Sequence, residues 1–185
     1  MIQATIGNEN LCFDTSQELF SPQRIDLGTL AMLSVTEFQP DDLVLDLGCG
    51  YGVVGITAAK QIGAERVVMA DVNPLAVEMA TANAERNGVA GIRMYVSDGL
   101  ASVPEFGFTK ILSNPPYHTD FSVAKGFIEK GFNRLKLGGQ MIMVTKRKDW
   151  YKNKLISTFG GVRIHEQDGY YVFIAEKKSG SYAKR

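Results

Sequence analysis

The stretch LVLDLGCGYGVVG at residues 43–55 decides the fold, because an apolar run is followed directly by closely spaced glycines. Residues 43–47 are typical of a buried strand, and residues 53–61 are typical of a helix. The glycines between them allow a tight turn and a close approach of the backbone to a ligand. The stretch therefore predicts a strand–loop–helix unit in a sheet that binds its ligand at the carboxyl ends of its strands.

The same alternation continues along the chain. Further strands are predicted over residues 66–71, 92–96, 110–113, 139–145, 162–165 and 170–175, and further helices over 74–86, 121–135 and 149–159. Strands that alternate with helices indicate an α/β fold, in which a mostly parallel sheet carries helices on both faces. The last two strands have no helix between them, so we expect them to pair as an antiparallel hairpin around Asp168-Gly169.

The first forty residues follow a different pattern. Residues 2–6 and 11–13 predict a hairpin around residues 7–10, and residues 26–38 predict a helix. No internal repeat or low-complexity linker is present. We therefore expect a single domain over residues 1–185, with an N-terminal extension at 1–40 and a catalytic core at 41–178.

Composition excludes several classes of protein. The 185 residues carry a formal net charge of zero, and no run of 18 apolar residues predicts a transmembrane helix. Two cysteines and an N-terminus without a signal-peptide pattern favour a reduced, cytoplasmic protein. With two histidines and no Cys-x-x-Cys motif, no metal site is expected.

Charge is unevenly distributed at the C-terminal end. Residues 146–185 hold ten Lys and Arg against four Asp and Glu, and Lys146, Arg147 and Lys148 are adjacent. This excess is compatible with phosphate binding and equally with an ordinary solvated surface.

Three acidic residues, Asp46, Asp71 and Asp98, lie at the ends of three successive predicted strands. Residues 50–55 also match the dinucleotide pattern G-x-G-x-x-G, which leaves a nicotinamide cofactor as an alternative. A carboxylate at Asp46 would repel a pyrophosphate, whereas S-adenosylmethionine carries a sulfonium and an ammonium and no phosphate. Asp71 suits the ribose hydroxyls, and Asp98 suits the adenine amine. The pattern therefore favours S-adenosylmethionine.

The residues predicted to bind this cofactor are Asp46, Gly48, Cys49, Gly50, Gly52, Asp71, Val72, Ser97, Asp98, Gly99 and Asn114. Cys49 is interpreted as a small spacer in the loop, because no neighbour in the sequence would lower the pKa of its thiol.

The motif Asn114-Pro115-Pro116-Tyr117 follows the fourth predicted strand of the sheet, and these four residues are the predicted catalytic group. The two prolines fix a rigid turn that aims the Asn114 side chain and the Pro115 carbonyl at one point. Two acceptors that hold both hydrogens of a conjugated amine favour a pyramidal nitrogen whose lone pair can attack a methyl group. Tyr117 offers a flat face for stacking. The motif therefore predicts methylation of a planar exocyclic nitrogen by positioning.

These motifs together resemble the class I methyltransferases with an Asn-Pro-Pro-Tyr signature. The similarity is greatest to the small-domain group that includes bacterial guanine-N2 ribosomal RNA methyltransferases. The segment with Phe20-Ser21, Asp26 and Gly28-Thr29 is also similar to that group. The resemblance implies a Rossmann-like, seven-stranded sheet with a reversed last strand, and a segment at residues 20–29, including Phe20 and Thr29, that covers the cofactor. It also implies RNA, most often ribosomal RNA, as the substrate.

Several alternatives stay open at this stage. The target is guanine N2 or adenine N6 of RNA, a glutamine side chain of a protein, or a small molecule. An inactive, cofactor-binding partner subunit is a further alternative, although the intact Asn-Pro-Pro-Tyr motif argues against it. Monomer and dimer are both consistent with the sequence. It also leaves open whether His118 and Trp150 contact the substrate.

Overall fold

A seven-stranded mixed sheet forms the centre of the computed structural model, which describes residues 1–116 and 120–183. The strands are β1 (Ile2–Ile6), β2 (Glu9–Phe13), β3 (Val44–Leu47), β4 (Val67–Asp71), β5 (Arg93–Val96), β6 (Phe108–Ser113), β7 (Leu135–Thr145), β8 (Arg163–Gln167) and β9 (Tyr170–Glu176). The helices of the described residues are α1 (Leu27–Ser34), α2 (Val53–Ile62), α3 (Pro74–Arg86), α4 (Ser122–Arg134) and α5 (Asp149–Phe159), with a short 3-10 turn at Ala64–Arg66. None of these helices is long and apolar enough to cross a membrane.

The strand order of the sheet is β5-β4-β3-β6-β7-β9-β8. The first five strands in this order are parallel, and β9 runs antiparallel to both β7 and β8. The predicted α/β class, the mostly parallel seven-stranded sheet and the antiparallel final hairpin are confirmed. The order reverses between β3 and β6, which is where doubly wound sheets open a crevice for a ligand. This reversal places the loop after β3 beside the loop after β6.

Helices cover both faces of the sheet, as predicted. Helices α1, α2 and α3 pack on one face around residues such as Ile56 and Met69, which are fully buried. Helices α4 and α5 pack on the other face around Ile128, Phe132 and Leu155. Strand β3 is buried along its whole length, as expected for a central parallel strand with helices on both sides.

Element boundaries differ from the predictions by up to four residues, and three of these differences have a clear physical cause. Helix α1 ends at Ser34 rather than at residue 38. The Thr36 hydroxyl donates to the Met32 carbonyl at 2.7 Å, and this bond replaces the backbone hydrogen bond that a longer helix would make there. Strand β7 begins at Leu135, four residues earlier than predicted, because Leu135 pairs with Phe108 before the register shifts. The turn of the first hairpin is only Gly7-Asn8, since Glu9 and Asn10 already pair with β1.

The N-terminal hairpin is attached to α3 by two asparagine side chains. Asn87 accepts from the Cys12 amide at 3.0 Å and donates to the Cys12 carbonyl at 2.8 Å. Asn83 makes the equivalent pair with Asp14, at 2.8 and 2.9 Å. These bonds fix the hairpin beside α3, so that the chain after it crosses the carboxyl ends of the strands.

Candidate functional site

A cavity of about 430 Å³ opens at the carboxyl ends of β3, β4 and β6. Its walls are the loops after these strands and after β5, together with the N-terminal segment from Glu18 to Thr29 and two residues of α4. Fourteen of the predicted site residues line it: Phe20, Thr29, Asp46, Gly48, Cys49, Gly50, Asp71, Val72, Ser97, Asp98, Gly99, Asn114, Pro115 and Pro116. Tyr117 and His118 lie outside the described residues. The volume is within the usual range for pockets that bind small molecules.

Gly52, which the sequence predicts to contact the cofactor, is not among the residues that line the cavity. It precedes α2 with a φ of 101°, and a Cβ there would lie 3.2 Å from the Cβ of Ala80 in α3. Glycine at this position therefore permits the start of α2 to pack closely on α3.

Asp46 is the most deeply buried acid of the site, with 3% of its surface exposed. Its Oδ2 accepts a hydrogen bond from the Gly55 amide at 2.8 Å. Burial raises the pKa of Asp46 to about 7, and the nearby Asp71 charge acts in the same direction. A carboxylate held in this way gains most from a ligand that brings a positive charge.

Asp71 connects the glycine loop to the end of β4. Its Oδ2 accepts from the Gly50 amide and its Oδ1 from the Asn73 amide, each at 2.9 Å. Each carboxylate oxygen can accept a second hydrogen bond, so two neighbouring hydroxyl groups of a ligand fit this carboxylate. The carboxyl end of β4 also receives the Ser97 amide, which donates to the Asp71 carbonyl at 2.9 Å.

The loop after β5 forms the opposite wall of the cavity. Ser97 is buried, and its Oγ accepts from the Ser102 amide at 2.9 Å, while Asp98 is exposed. Phe127 of α4 lies between this wall and the glycine loop: Cβ atoms added at Gly99 and Gly48 would be 3.6 and 3.8 Å from its ring. The ring provides an apolar surface beside the acidic strand ends, which suits a planar ligand group.

Asn114 is held by the N-terminal segment. Its Nδ2 donates to Oδ2 of Asp26 at 2.9 Å and to Oγ1 of Thr29 at 3.1 Å. The same Asp26 oxygen accepts from the Thr29 amide at 3.0 Å, which caps α1, and Oδ1 accepts from the Tyr170 hydroxyl at 3.1 Å. Because a carboxylate only accepts hydrogen bonds, the amide nitrogen of Asn114 must face Asp26.

This orientation turns the Asn114 oxygen away from Asp26 and Thr29. Oδ1 is buried, and no atom of the described residues donates a hydrogen bond to it. A buried polar atom without a partner destabilises a protein by about 1–3 kcal/mol. An acceptor kept in this state next to a cavity indicates that a donor arrives with a ligand.

Tyr170 and Gly28 complete the support of Asp26. A Cβ at Gly28 would lie 2.6 Å from the Tyr170 ring and 2.8 Å from Oδ2 of Asp26, so a larger residue would force one of them to shift. The ring of Tyr170 therefore rests on the first turn of α1 while its hydroxyl reaches the Asp26 carboxylate.

Two further side chains of the glycine loop, Cys49 and Tyr51, have structural roles. Burial, with the charges of Asp46 and Asp71, raises the pKa of the Cys49 thiol well above its usual value, so it stays protonated near neutral pH. This agrees with its interpretation as a spacer. The Tyr51 hydroxyl donates to the Ser21 carbonyl at 3.2 Å, and burial raises its pKa to about 12. Tyr51 thus ties the glycine loop to the N-terminal segment.

Sequence reasoning missed Phe127 and Tyr170 as parts of the site, and it used Asp26 only as part of a motif. Phe127 occurs in a helix whose pattern indicates ordinary packing, and Tyr170 occurs in a strand 144 positions from its partner. No local signal connects either residue to the cavity. The spacing of Asp26, Gly28 and Thr29 was the only signal available for this segment.

The chain is similar to known proteins over most of its length. The family model described as the methyltransferase small domain matches residues 10–175. The chain is 32% identical over 178 residues to the protein YbxB of Bacillus subtilis (strain 168), covering 93% of this chain and 89% of that protein. It is 36% identical over 150 residues to ribosomal RNA small subunit methyltransferase C of Hahella chejuensis, covering 79% of this chain and 43% of that protein.

Among solved structures, the chain superposes with a TM-score of 0.86 on the T. thermophilus 16S rRNA N2 G1207 methyltransferase in complex with AdoMet and guanosine. The identity is 28%, and the alignment covers 96% of this chain and 50% of that one. The chain thus spans about half the length of the ribosomal RNA methyltransferases that it matches.

Proposed function

Because the chain belongs to the methyltransferase small domain family, whose members use S-adenosylmethionine, we propose that it methylates the exocyclic amine of an RNA base. The favoured target is guanine N2 of ribosomal RNA, with adenine N6 as the second choice. If its substrate is ribosomal RNA, the protein acts in the cytoplasm.

The residues present fit S-adenosylmethionine. When bound, this cofactor supplies a methyl group that its sulfonium makes electrophilic. Asp46 offers a buried carboxylate to the cationic amino acid end, and Asp71 offers its two oxygens to the ribose hydroxyls. Ser97, Asp98 and the ring of Phe127 suit the adenine, and Val72, 66% exposed and also in the lining, adds an apolar contact. Phe20 and Thr29 line the N-terminal side of the cavity, in keeping with a covering segment.

The observation that carries the proposal is the buried Oδ1 of Asn114, which has no hydrogen-bond partner among the described residues. An exocyclic amine of a base has two hydrogens and a lone pair delocalised into the ring. Asn114 accepts one hydrogen through Oδ1, and the Pro115 carbonyl, next along the rigid turn, accepts the other. With both hydrogens held, the nitrogen becomes pyramidal and its lone pair points away from the two acceptors. Asn114 and Pro115 thereby contribute by orientation.

Two hydrogen bonds hold the Asn114 side chain in this orientation. Its nitrogen is bound on two sides, by Asp26 and Thr29, so its oxygen stays in place before the substrate arrives. Such preorganisation reduces the reorganisation needed when the substrate binds. No side chain needs to act as a strong base, because the methylated amine is cationic and releases its surplus proton readily to water.

RNA is favoured over the other substrates by two facts. Relatives that are named as ribosomal RNA methyltransferases align with most of this chain, and three adjacent cations follow β7 at the edge of the sheet that carries the cavity. A glutamine side chain presents a similar amide nitrogen and is the main competing substrate. A small-molecule substrate or an inactive partner subunit would not require the cations.

The proposal is tested with methyl-labelled S-adenosylmethionine and an extract of cells that lack the gene. We expect the extract to become labelled, and we expect ribonuclease, but not protease, to remove the label. The Asn114→Ala variant should produce no label. Label that only protease removes would replace the proposal with methylation of a protein. Cofactor binding without any macromolecular label would favour a small molecule or an inactive partner.

A further inference from the structure

Three adjacent cations, Lys146, Arg147 and Lys148, follow β7 and form what we call the basic strip. All three side chains are exposed. Within residues 1–116 and 120–183, no carboxylate lies within ion-pair distance of any of them. Asp149 is the carboxylate next to the strip in sequence and leaves a local excess of positive charge. The strip is therefore available to an anionic partner.

The strip lies at the same edge of the sheet as the cavity. Strands β6 and β7 are parallel, with Ser113 paired with Met143, so the residues after β7 emerge beside Asn114. A chain of contacts joins the two places. The Lys146 ammonium is 5.0 Å from the centre of the Tyr170 ring, whose hydroxyl bonds to Asp26, which in turn holds Asn114.

Aromatic rings alternate with these cations. The Arg147 guanidinium is 5.1 Å from the centre of the Phe121 ring, and the Lys148 ammonium is 5.5 Å from that of Tyr171. Phe121 is itself stacked on Trp150, with ring centres 4.4 Å apart and planes inclined by 9°. Phe121 and Trp150 are both only partly buried. Cations beside partly exposed rings, such as Phe121 and Trp150 here, are the pattern by which proteins bind single-stranded nucleic acid.

If the substrate is RNA, as proposed above, the active-site geometry requires it to be single-stranded at the target base. The exocyclic amine of a paired guanine is engaged in its base pair, and the acceptor for that amine, Asn114 Oδ1, is buried. The target nucleotide must therefore be unpaired and turned out of any stack before it reaches the cavity. The nucleotides beside it then lie near the edge of the sheet at which the basic strip emerges.

We propose that the basic strip and the Phe121–Trp150 stack bind the single-stranded RNA that flanks the target base. Lys146, Arg147 and Lys148 contact its phosphates, and the stack receives a neighbouring base. This inference rests on the proposed function for the identity of the RNA, and it adds where on this chain the RNA is held.

The test measures binding of a fluorescently labelled single-stranded RNA over a series of salt concentrations, with S-adenosylhomocysteine present. The variant K146A/R147A/K148A removes the strip. The control K130A/K136A/K178A removes three exposed lysines at the opposite edge of the sheet. Unchanged affinity for S-adenosylhomocysteine in both variants shows that they are folded.

Each lost phosphate contact lowers the slope of log affinity against log salt by about 0.7 for single strands. We expect the strip variant to lose about 2 from this slope and at least about tenfold in affinity at low salt, while the control stays close to the wild type. In methylation assays the strip variant should raise KM for RNA and retain kcat. An unchanged slope and KM in the strip variant would overturn the inference.

The fluorescence of Trp150 provides an independent test, because Trp150 is the only tryptophan in the sequence. Stacking of a base on Trp150 quenches its fluorescence. RNA should therefore quench the fluorescence of the wild type, whereas free phosphate should have no effect. Unchanged fluorescence at RNA saturation would overturn the stack as a binding element.

The two proposals fail in different ways. RNA binding that depends on the strip, without transfer of methyl groups to RNA, would refute the proposed function and retain the surface. Methylation of RNA with the same KM in the strip variant would retain the function and refute the surface.

Discussion

Asp26 and Asn114 lie 88 positions apart in the chain, and the Asn114 amide donates to the Asp26 carboxylate at 2.9 Å. This bond joins the N-terminal segment to the turn after β6, and it fixes which atom of Asn114 is offered to a substrate. The N-terminal segment therefore contributes to the chemistry as well as to the wall of the cavity.

Asn114→Ala should lower kcat by about 100-fold or more, because the amine loses one of the two acceptors that orient it. Affinity for S-adenosylhomocysteine should fall far less, since Asp46 and Asp71 remain. Steady-state kinetics and calorimetric titration measure the two effects. Asn133→Ala, which alters an exposed asparagine of α4, is the matched control. Equal losses in kcat and in cofactor affinity would argue against an orienting role.

Asp26→Ala should lower kcat by about 10- to 100-fold, because the Asn114 side chain becomes free to turn. It should also destabilise the fold by about 1 kcal/mol through the lost cap of α1.

Asp26→Asn separates these two effects. Its amide oxygen can still accept from Asn114 and Thr29, and its nitrogen can donate to the Tyr170 hydroxyl. We therefore expect it to restore most of the kcat. If both variants lost activity equally, the negative charge of Asp26 would matter rather than its acceptor geometry.

Asp46 should make the protein less stable as the pH rises toward neutrality. Its pKa is about 7 when folded, against 3.8 as the ordinary value, so the folded state binds more protons between these limits. The free energy of unfolding must then fall as the pH increases through this window, by about 2 kcal/mol between about pH 5.5 and 8.

Asp46→Asn should remove this part of the pH dependence, because the amide does not titrate. Urea unfolding of the two proteins at both pH values measures the difference. A wild type that matched the variant in its pH dependence would show that Asp46 titrates normally.

Gly28→Ala should destabilise the protein by about 1–3 kcal/mol, because its Cβ meets the Tyr170 ring and the Asp26 carboxylate. Displacement of Asp26 should also reduce activity. Gly126→Ala in α4 is a suitable control, since a Cβ there meets nothing within 4 Å and favours the helix by about 0.5–1 kcal/mol. Thermal unfolding measures both. Equal behaviour of the two variants would refute the close contact.

Local patterns predicted the parts of the site that are contiguous in the chain. These parts are the glycine loop, the acid at the end of each of three strands, and the Asn-Pro-Pro turn. Each can be recognised from a few neighbouring residues, and their order along the chain implies that they converge. Gly52 also packs against α3, and the spacing of glycines alone does not tell a contact with a ligand from a contact between helices.

Long-range partners could not be predicted in this way. The Tyr170 hydroxyl reaches Asp26 across 144 positions, and nothing in the strand pattern of Tyr170 distinguishes it from a packing residue. The end of α1 at Ser34 depended on a single hydroxyl bond of Thr36, which competes locally with continuation of the helix.

The most direct measurement is the identity of the methylated nucleoside. Ribosomal RNA from cells that lack the gene would be incubated with the protein and S-adenosylmethionine, digested to nucleosides and analysed by mass spectrometry. The account predicts a methyl group on an exocyclic amine, as N2-methylguanosine in the first place, and its absence with Asn114→Ala. A methyl group on a ring nitrogen, on a ribose hydroxyl or on a protein side chain would contradict it.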